Sequence, residues 1–364
     1  MKKGKILITG GAGFIGSHTA DALAKKGYKI RILDNLEPPV HAGQWPNYAL
    51  GKGYELIRGD VSKKSCLKEA LKGVSYVYHF AAYQDQRPDF SKFFITNTVS
   101  AALLYEIIVE ENLPVKKIIL ASSQFVYGDG CYYCFPGKKN IFYPELRTLK
   151  QLENKQWNIL CPNRKPAKFI PFKESQLLNP TNSYGLSKAA LENLALRLGK
   201  TYNILTVILR YSIVQGSRQS PHNLYSGALR IFITQALAAK PITVYEDGNQ
   251  LRDFVNIKDV VRANLLVLKN PKADFEIFNV GGGKGYKILD FAKMVKEITK
   301  CPSPVVIGGF RRTDTRHAIS DISKIKKLGW SPKHTPKDSI EEYLSWYLSR
   351  QRHSQKNPKK IEKY

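Results

Sequence analysis

The stretch Lys5-Ile6-Leu7-Ile8-Thr9-Gly10-Gly11-Ala12-Gly13-Phe14-Ile15-Gly16 governs how the rest of the chain is read. A short β-rich run passes straight into a glycine cluster, and apolar residues at three- and four-residue spacing follow over 14–26. Gly10 permits a tight turn. Gly13 lets backbone N–H groups approach a pyrophosphate at the helix N-terminus, and Gly16 lets that helix pack close to the sheet. The next β-rich run, Lys29 to Leu33, ends in Asp34-Asn35. A carboxylate at that strand end accepts hydrogen bonds from an adenosine ribose and repels a 2′-phosphate, which favours NAD over NADP.

Outward from this unit, β-rich runs at 54–57, 76–80, 117–120 and 205–209 alternate with helical patterns such as 97–111 and 184–202. Alternation of this kind predicts βαβ units in an α/β fold: a Rossmann-type, doubly wound parallel sheet with helices on both faces. Asp60-Val61 follows the third run, where a side chain meets an adenine. His79-Phe80-Ala81-Ala82 ends the fourth with small residues suited to close cofactor approach. After about residue 215 the rhythm becomes irregular, which predicts a second, smaller α/β lobe over 216–252 and 282–349. Residues 1–128, 179–215 and 253–281 are assigned to the nucleotide-binding domain, and 350–364 to a basic, frayed tail. Residues 129–178 hold glycine, proline, aromatics and three cysteines with little periodicity; a structureless loop that long is improbable, so an inserted module or lid is expected.

Composition narrows the class. The 364 residues are 43% hydrophobic and 24% charged, which excludes wholesale disorder. No apolar run approaches the ~18 residues of a membrane span on this reading, so no integral helical membrane protein is expected. Five cysteines in this length do not make a disulfide framework, and a cytoplasmic location is the default. The charge of +27 attracts anions of any kind. It motivates one reading of a different class, a non-catalytic nucleic-acid-binding protein on the same fold.

Asn182-Ser183-Tyr184-Gly185-Leu186-Ser187-Lys188 opens a helix and sets Tyr184 and Lys188 one turn apart on one face. A free tyrosine is a poor base at neutral pH, and a nearby ammonium favours its phenolate. The run 117–120 leads into Ala121-Ser122-Ser123-Gln124-Phe125-Val126-Tyr127-Gly128, which puts a hydroxyl at a strand's C-terminal end, where parallel sheets place their ligands. In this order, the three motifs resemble the extended short-chain dehydrogenase/reductases of the NAD-dependent sugar-nucleotide epimerase/dehydratase group. The resemblance implies Tyr184 as acid/base, Lys188 lowering its pKa and binding the nicotinamide ribose, and Ser123 bonding the reacting oxygen. It implies NAD contacts from Gly10, Gly13, Phe14, Ile15, Gly16, Asp34, Asn35, Asp60, Val61, Ala81, Ala82 and Asn97. For a nucleotide-diphosphate sugar it implies Gln84, Ser123, Arg218, Arg252, Arg311 and Asp314, with the two arginines at 252 and 311 offering planar donors to phosphate. The intact Ser123, Tyr184 and Lys188 set argues against a pure nucleic-acid binder.

Two departures bear on the reaction. Ile213 stands where relatives carry a substrate-contacting asparagine, and Gln124-Phe125 stands where sugar 4,6-dehydratases carry an acid pair. The second disfavours elimination of water and leaves 4-epimerisation through a transient 4-keto sugar as the leading expectation. Dehydratase, decarboxylase and dehydrogenase chemistry all share the same first oxidation at C4. In the insertion, Cys131-Tyr132-Tyr133-Cys134 and Cys161 with Arg164 at the fourth position read as a degenerate zinc ribbon, with Cys131, Cys134 and Cys161 as a remnant metal site. The helix from Tyr184 carries more apolar surface than one core-facing stripe needs, and the resemblance implies a homodimer through a four-helix bundle.

Overall fold

The computed structural model describes residues 4–85, 87–134, 141–223 and 227–356. Seven strands, β1 (Lys5–Thr9), β2 (Lys29–Asp34), β3 (Glu55–Arg58), β4 (Val74–His79), β5 (Lys117–Ser123), β6 (Leu205–Tyr211) and β7 (Glu276–Val280), form one parallel sheet. Their order is β7-β6-β5-β4-β1-β2-β3, with a reversal of winding beside β1 that opens a crevice at the C-terminal strand ends. Register is set by burial on both faces. Ile6 and Ile8 enter one apolar cluster while Leu7 enters the other, and Ile119 and Ile118 divide in the same way on β5. The first cluster is covered by α1 (Phe14–Lys25), the second by α2 (Lys64–Leu71), α3 (Ser100–Glu110) and α4 (Ser183–Thr201).

A helical stretch from Phe90 through Glu110, ending in α3, is long and apolar enough to cross a membrane by length and composition alone, contrary to the sequence expectation. Nearly half of it is buried, because its inner face belongs to the second cluster of the sheet. Its outer face leaves Phe90, Phe94, Ile95 and Val99 exposed.

The second lobe has its own core. Here α5 (Ala228–Leu237), α7 (Ile288–Thr299) and α8 (Pro336–Lys356) enclose Phe232, Ile233, Phe291, Val295 and Tyr343. Strand Leu251–Asn256 pairs with 213–215, 285–287 and 317–318 in a small sheet. The chain then returns through α6 (Ile257–Lys269), which packs on α1, to β7. Helix α8 continues into the region read as tail; Lys359, Lys360 and Lys363 lie outside the described residues.

The insertion is a three-stranded antiparallel sheet of 131–133, 141–142 and 168–170 with a short helix at 149–153. The expected metal remnant is not formed. Cys134 and Cys161, 27 residues apart, are joined as a disulfide, and Cys131 is a separate buried thiol against the Gln176 amide at 3.0 Å. Strand pairing aims Cys131 inward and carries Cys134 past the strand end towards Cys161, so the three sulfurs never converge. Among the described residues no group of three His, Cys, Asp or Glu side chains is placed to hold a metal.

Buried charge fastens the insertion to the second lobe. Arg147 pairs with Glu246 at 2.7 Å and donates to the carbonyls of Trp157 and Asp314. Arg316 pairs with Glu246 and Asp247 and donates to the Asn158 side chain. Phe172 trades backbone bonds with Ile319 and Asp321, and its carbonyl accepts from the Asn279 side chain on β7.

Candidate active site

The turn after β1 shows which glycines serve the fold and which leave space. Gly10 has φ of +65°, and a Cβ there would meet the Ala81 backbone at 2.7 Å. At Gly16 a Cβ would strike the Gly10 carbonyl at 2.3 Å, so α1 can sit close to the turn only without one. A Cβ on Gly13 would approach only the Gly10 carbonyl, at 3.2 Å, and Gly13 lines the cleft. Its bareness thus opens a cradle at the start of α1, where N–H groups and the helix dipole favour an anion. Asp34 is buried and holds the turn from the side, accepting from Ala12 N and Leu36 N at 3.0 Å each. Burial raises its carboxyl above the ordinary range. A carboxylate has about four lone-pair sites, so two remain for ribose hydroxyls.

The cleft is a cavity of about 1080 Å³ between the sheet's C-terminal edge and the second lobe. Phe14, Ile15, Asn35, Asp60, Val61, Ala81 and Ala82 line it. Asn97 does not reach its wall. It is fully buried and binds both Tyr83 N and O and the Ser187 hydroxyl, which fixes the loop after β4 against α4. Gln84 lines the cleft from that loop; Gln86 lies outside the described residues.

At the mouth of β5, Asn182 caps α4 by accepting from Gly185 N at 2.8 Å. A Cβ on Gly185 would meet the Phe125 carbonyl at 2.5 Å, so this helix start is pressed against the turn that follows Ser123. The close approach brings the Ser123 side chain beside Tyr184, where its hydroxyl favours the phenolate. Lys188 lies deeper, donating from Nζ to the Ala121 carbonyl at 2.9 Å, with Nζ 5.8 Å from the centre of the Tyr184 ring. Burial dominates both titrations. It pushes Tyr184 up to about 12 despite the Ser123 hydroxyl and brings Lys188 down to about 8 against the opposing pull of Glu192. In the protein alone, burial sets the balance at Tyr184, with the Ser123 hydroxyl pulling the other way.

Beneath this group, Glu192 and Arg210 form a buried ion pair at 2.6 Å. Ser122 donates to Glu192, and Arg210 donates to the Tyr127 hydroxyl, which donates in turn to Asn279 at 2.8 Å. One network thus locks β5, α4, β6 and β7 together below the reactive side chains.

The far end of the cleft carries Arg252, Arg311 and Asp314. Arg252 donates to the carbonyls of Leu251, Thr315 and Arg316, while Arg311 lies over the Tyr245 ring at 5.0 Å. Arg218, expected at the substrate, lies elsewhere. It pairs with Asp21 of α1 at 2.7 Å, lies over Tyr48 and does not line this cavity, so it joins the lobes rather than the ligand end. Gln235, Thr243 and Tyr245 also line this end; they share no motif and converge only through tertiary packing.

Residues 6–149 and 162–281 match the NAD dependent epimerase/dehydratase family. The chain belongs to this family. Among curated relatives, a dTDP-L-rhamnose 4-epimerase of Burkholderia thailandensis is 33% identical over 348 residues, covering 94% of each chain. Solved structures of the family superpose along almost the full length. The UDP-glucuronic acid 4-epimerase of Bacillus cereus, in complex with UDP-glucuronic acid and NAD, gives a TM-score of 0.77 at 27% identity over 95% of this chain and 99% of that one. The UDP-glucose 4-epimerase of Thermotoga maritima, with UDP-glucose, gives 0.78 at 27% identity over the same shares. The stretch 150–161, left out of the family match, falls within the insertion.

Proposed function

We propose that the chain is an NAD-dependent 4-epimerase of a nucleotide-diphosphate sugar. The observation that carries this reading is the Ser123–Tyr184 hydroxyl pair over Lys188, facing a cleft that continues to Arg252 and Arg311. The Gly13 cradle, the free lone pairs of Asp34 and the cleft wall at Asp60, Val61, Ala81 and Ala82 fit NAD, with Lys188 meeting its nicotinamide ribose. Bound NAD supplies an acceptor and returner of hydride at the sugar C4, and a positive ring whose charge favours the Tyr184 phenolate. Tyr184 Oη takes the proton of the sugar 4-hydroxyl, and Ser123 donates to the same oxygen as it becomes a ketone. The 4-keto sugar turns to present its other face, and Tyr184 gives the proton back. Arg252 and Arg311 hold the diphosphate meanwhile, so that the sugar rotates about a fixed anchor.

Incubation with UDP- and dTDP-hexoses should yield a product of unchanged mass whose NMR couplings show inversion at C4. Loss of water, carbon dioxide or two hydrogens would overturn the assignment to an epimerase. A cytoplasmic location goes with nucleotide-sugar and NAD chemistry. We read the exposed stripe of Phe94, Ile95 and Val99, with Leu186 exposed on α4, as a homodimer face. Light scattering at micromolar concentration should give twice the chain mass; a clean monomer would refute the dimer.

A further inference from the structure

Gln124 directly follows Ser123 and opens the short turn 124–127. It is only 4% exposed, yet it lines the cleft. Its Oε1 is buried and has no hydrogen-bond partner among the described residues. Of the residues nearby in the chain, Ser122 gives its hydroxyl to Glu192, and Phe125 turns its ring edge-on to Tyr184. Burial of an unsatisfied carboxamide oxygen opposes folding unless a ligand supplies the missing donor. Gln250 makes the contrast. Its Oε1 is also unpartnered, but its amide is fixed to the Tyr245 carbonyl at the other end of the cleft.

A carboxamide does not titrate in the working range, so Gln124 neither gives nor takes the reaction's proton. It can accept from a hydroxyl and donate through its NH2 group. Since Ser123 and Tyr184 take the C4 oxygen, the groups that fall to the next residue are those on C3 and on the C6 arm carried by C5. We infer that Gln124 is the residue that reads a hydroxyl near C4, on C3 or on the exocyclic C6, and thereby sets which hexose the site accepts. This rests on the 4-epimerase reading above. Sites built to bind a hydroxyl reject the analogue that lacks it far more strongly than apolar pockets reject an added one.

The test compares wild-type protein with Gln124→Met, which keeps length and removes polarity, both loaded with NAD. The probes are dTDP-glucose and its 3-deoxy and 6-deoxy counterparts, measured by kcat/KM and, on a Tyr184→Phe background, by calorimetric Kd. Wild type should lose at least tenfold in affinity with one of the two analogues, and Gln124→Met less than twofold with that same analogue; the arm that responds identifies the hydroxyl. Discrimination of equal size in both proteins, or none in wild type, overturns the inference. Gln124→Asn serves if the methionine variant fails to fold: a shortened amide should reduce discrimination, and full retention overturns the inference. Hydroxyl-dependent binding without any C4 inversion would sink the epimerase reading while leaving Gln124 as the reader. Inversion without such dependence would do the reverse, and failure of all three probes to bind would sink both.

Discussion

Tyr184→Phe should fold, bind NAD as the parent does and lose turnover by at least the ~10²-fold typical of a missing general base. The ring stays, including its edge-on contact with Phe125, and only the hydroxyl beside Ser123 is removed. Wild-type-like turnover would mean that another group takes the proton. The partner variant, Lys188→Met, should lose both turnover and cofactor affinity, and its pH behaviour separates the two roles of the ammonium. Burial depresses Lys188 to about 8, so its charge is present below that pH and is lost as pH rises through it. Calorimetric NAD affinity should therefore fall above about pH 8 in wild type and be lower but flat over that range in Lys188→Met. A parallel decline in both would assign the titration elsewhere.

The largest expected effect on stability is at Glu192. Glu192→Ala leaves the Arg210 guanidinium buried with only the Tyr127 hydroxyl and the Glu174 carbonyl as partners, and takes the acceptor from Ser122. Removing one member of a buried pair costs about 3–5 kcal/mol, because the other charge stays out of water. Urea denaturation should show a loss of that size. Turnover should fall as well, since Ser122 and Lys188 lean on the same network. Replacing both members by apolar residues of similar volume should recover much of the stability. An unchanged midpoint for Glu192→Ala would show that the pair contributes nothing net.

What the sequence disclosed was what neighbours in the chain decide. The turn at Gly10 to Gly16, the acidic end of β2, and Tyr184 one turn before Lys188 each lie within a few residues of the element that positions them. The alternation that led to a doubly wound sheet is likewise local. What it missed depends on partners far along the chain. Arg218 looks like a free cation until Asp21, from α1, is found beside it. Three cysteines at metal-like spacing do not show that strand pairing sends Cys131 away from the other two. The stretch 90–110 is apolar by composition, and only its packing shows that one face serves the sheet while Phe90, Phe94, Ile95 and Val99 stay exposed. The depth of Tyr184 is of the same kind: the ammonium four residues on is visible in the sequence, and the burial that raises the phenol is not.

The fastening of the insertion has an evolutionary meaning. A chain that lost residues 129–178 in one deletion would not simply be shorter. The Asp314 carbonyl would lose Arg147, the Asn279 side chain would lose the Phe172 carbonyl, and Arg316 would lose Asn158, at buried or half-buried points. Each vacancy would need its own compensating substitution, arriving together with the deletion. Small steps towards loss would therefore run uphill, and the segment should be entrenched, because its neighbours depend on it.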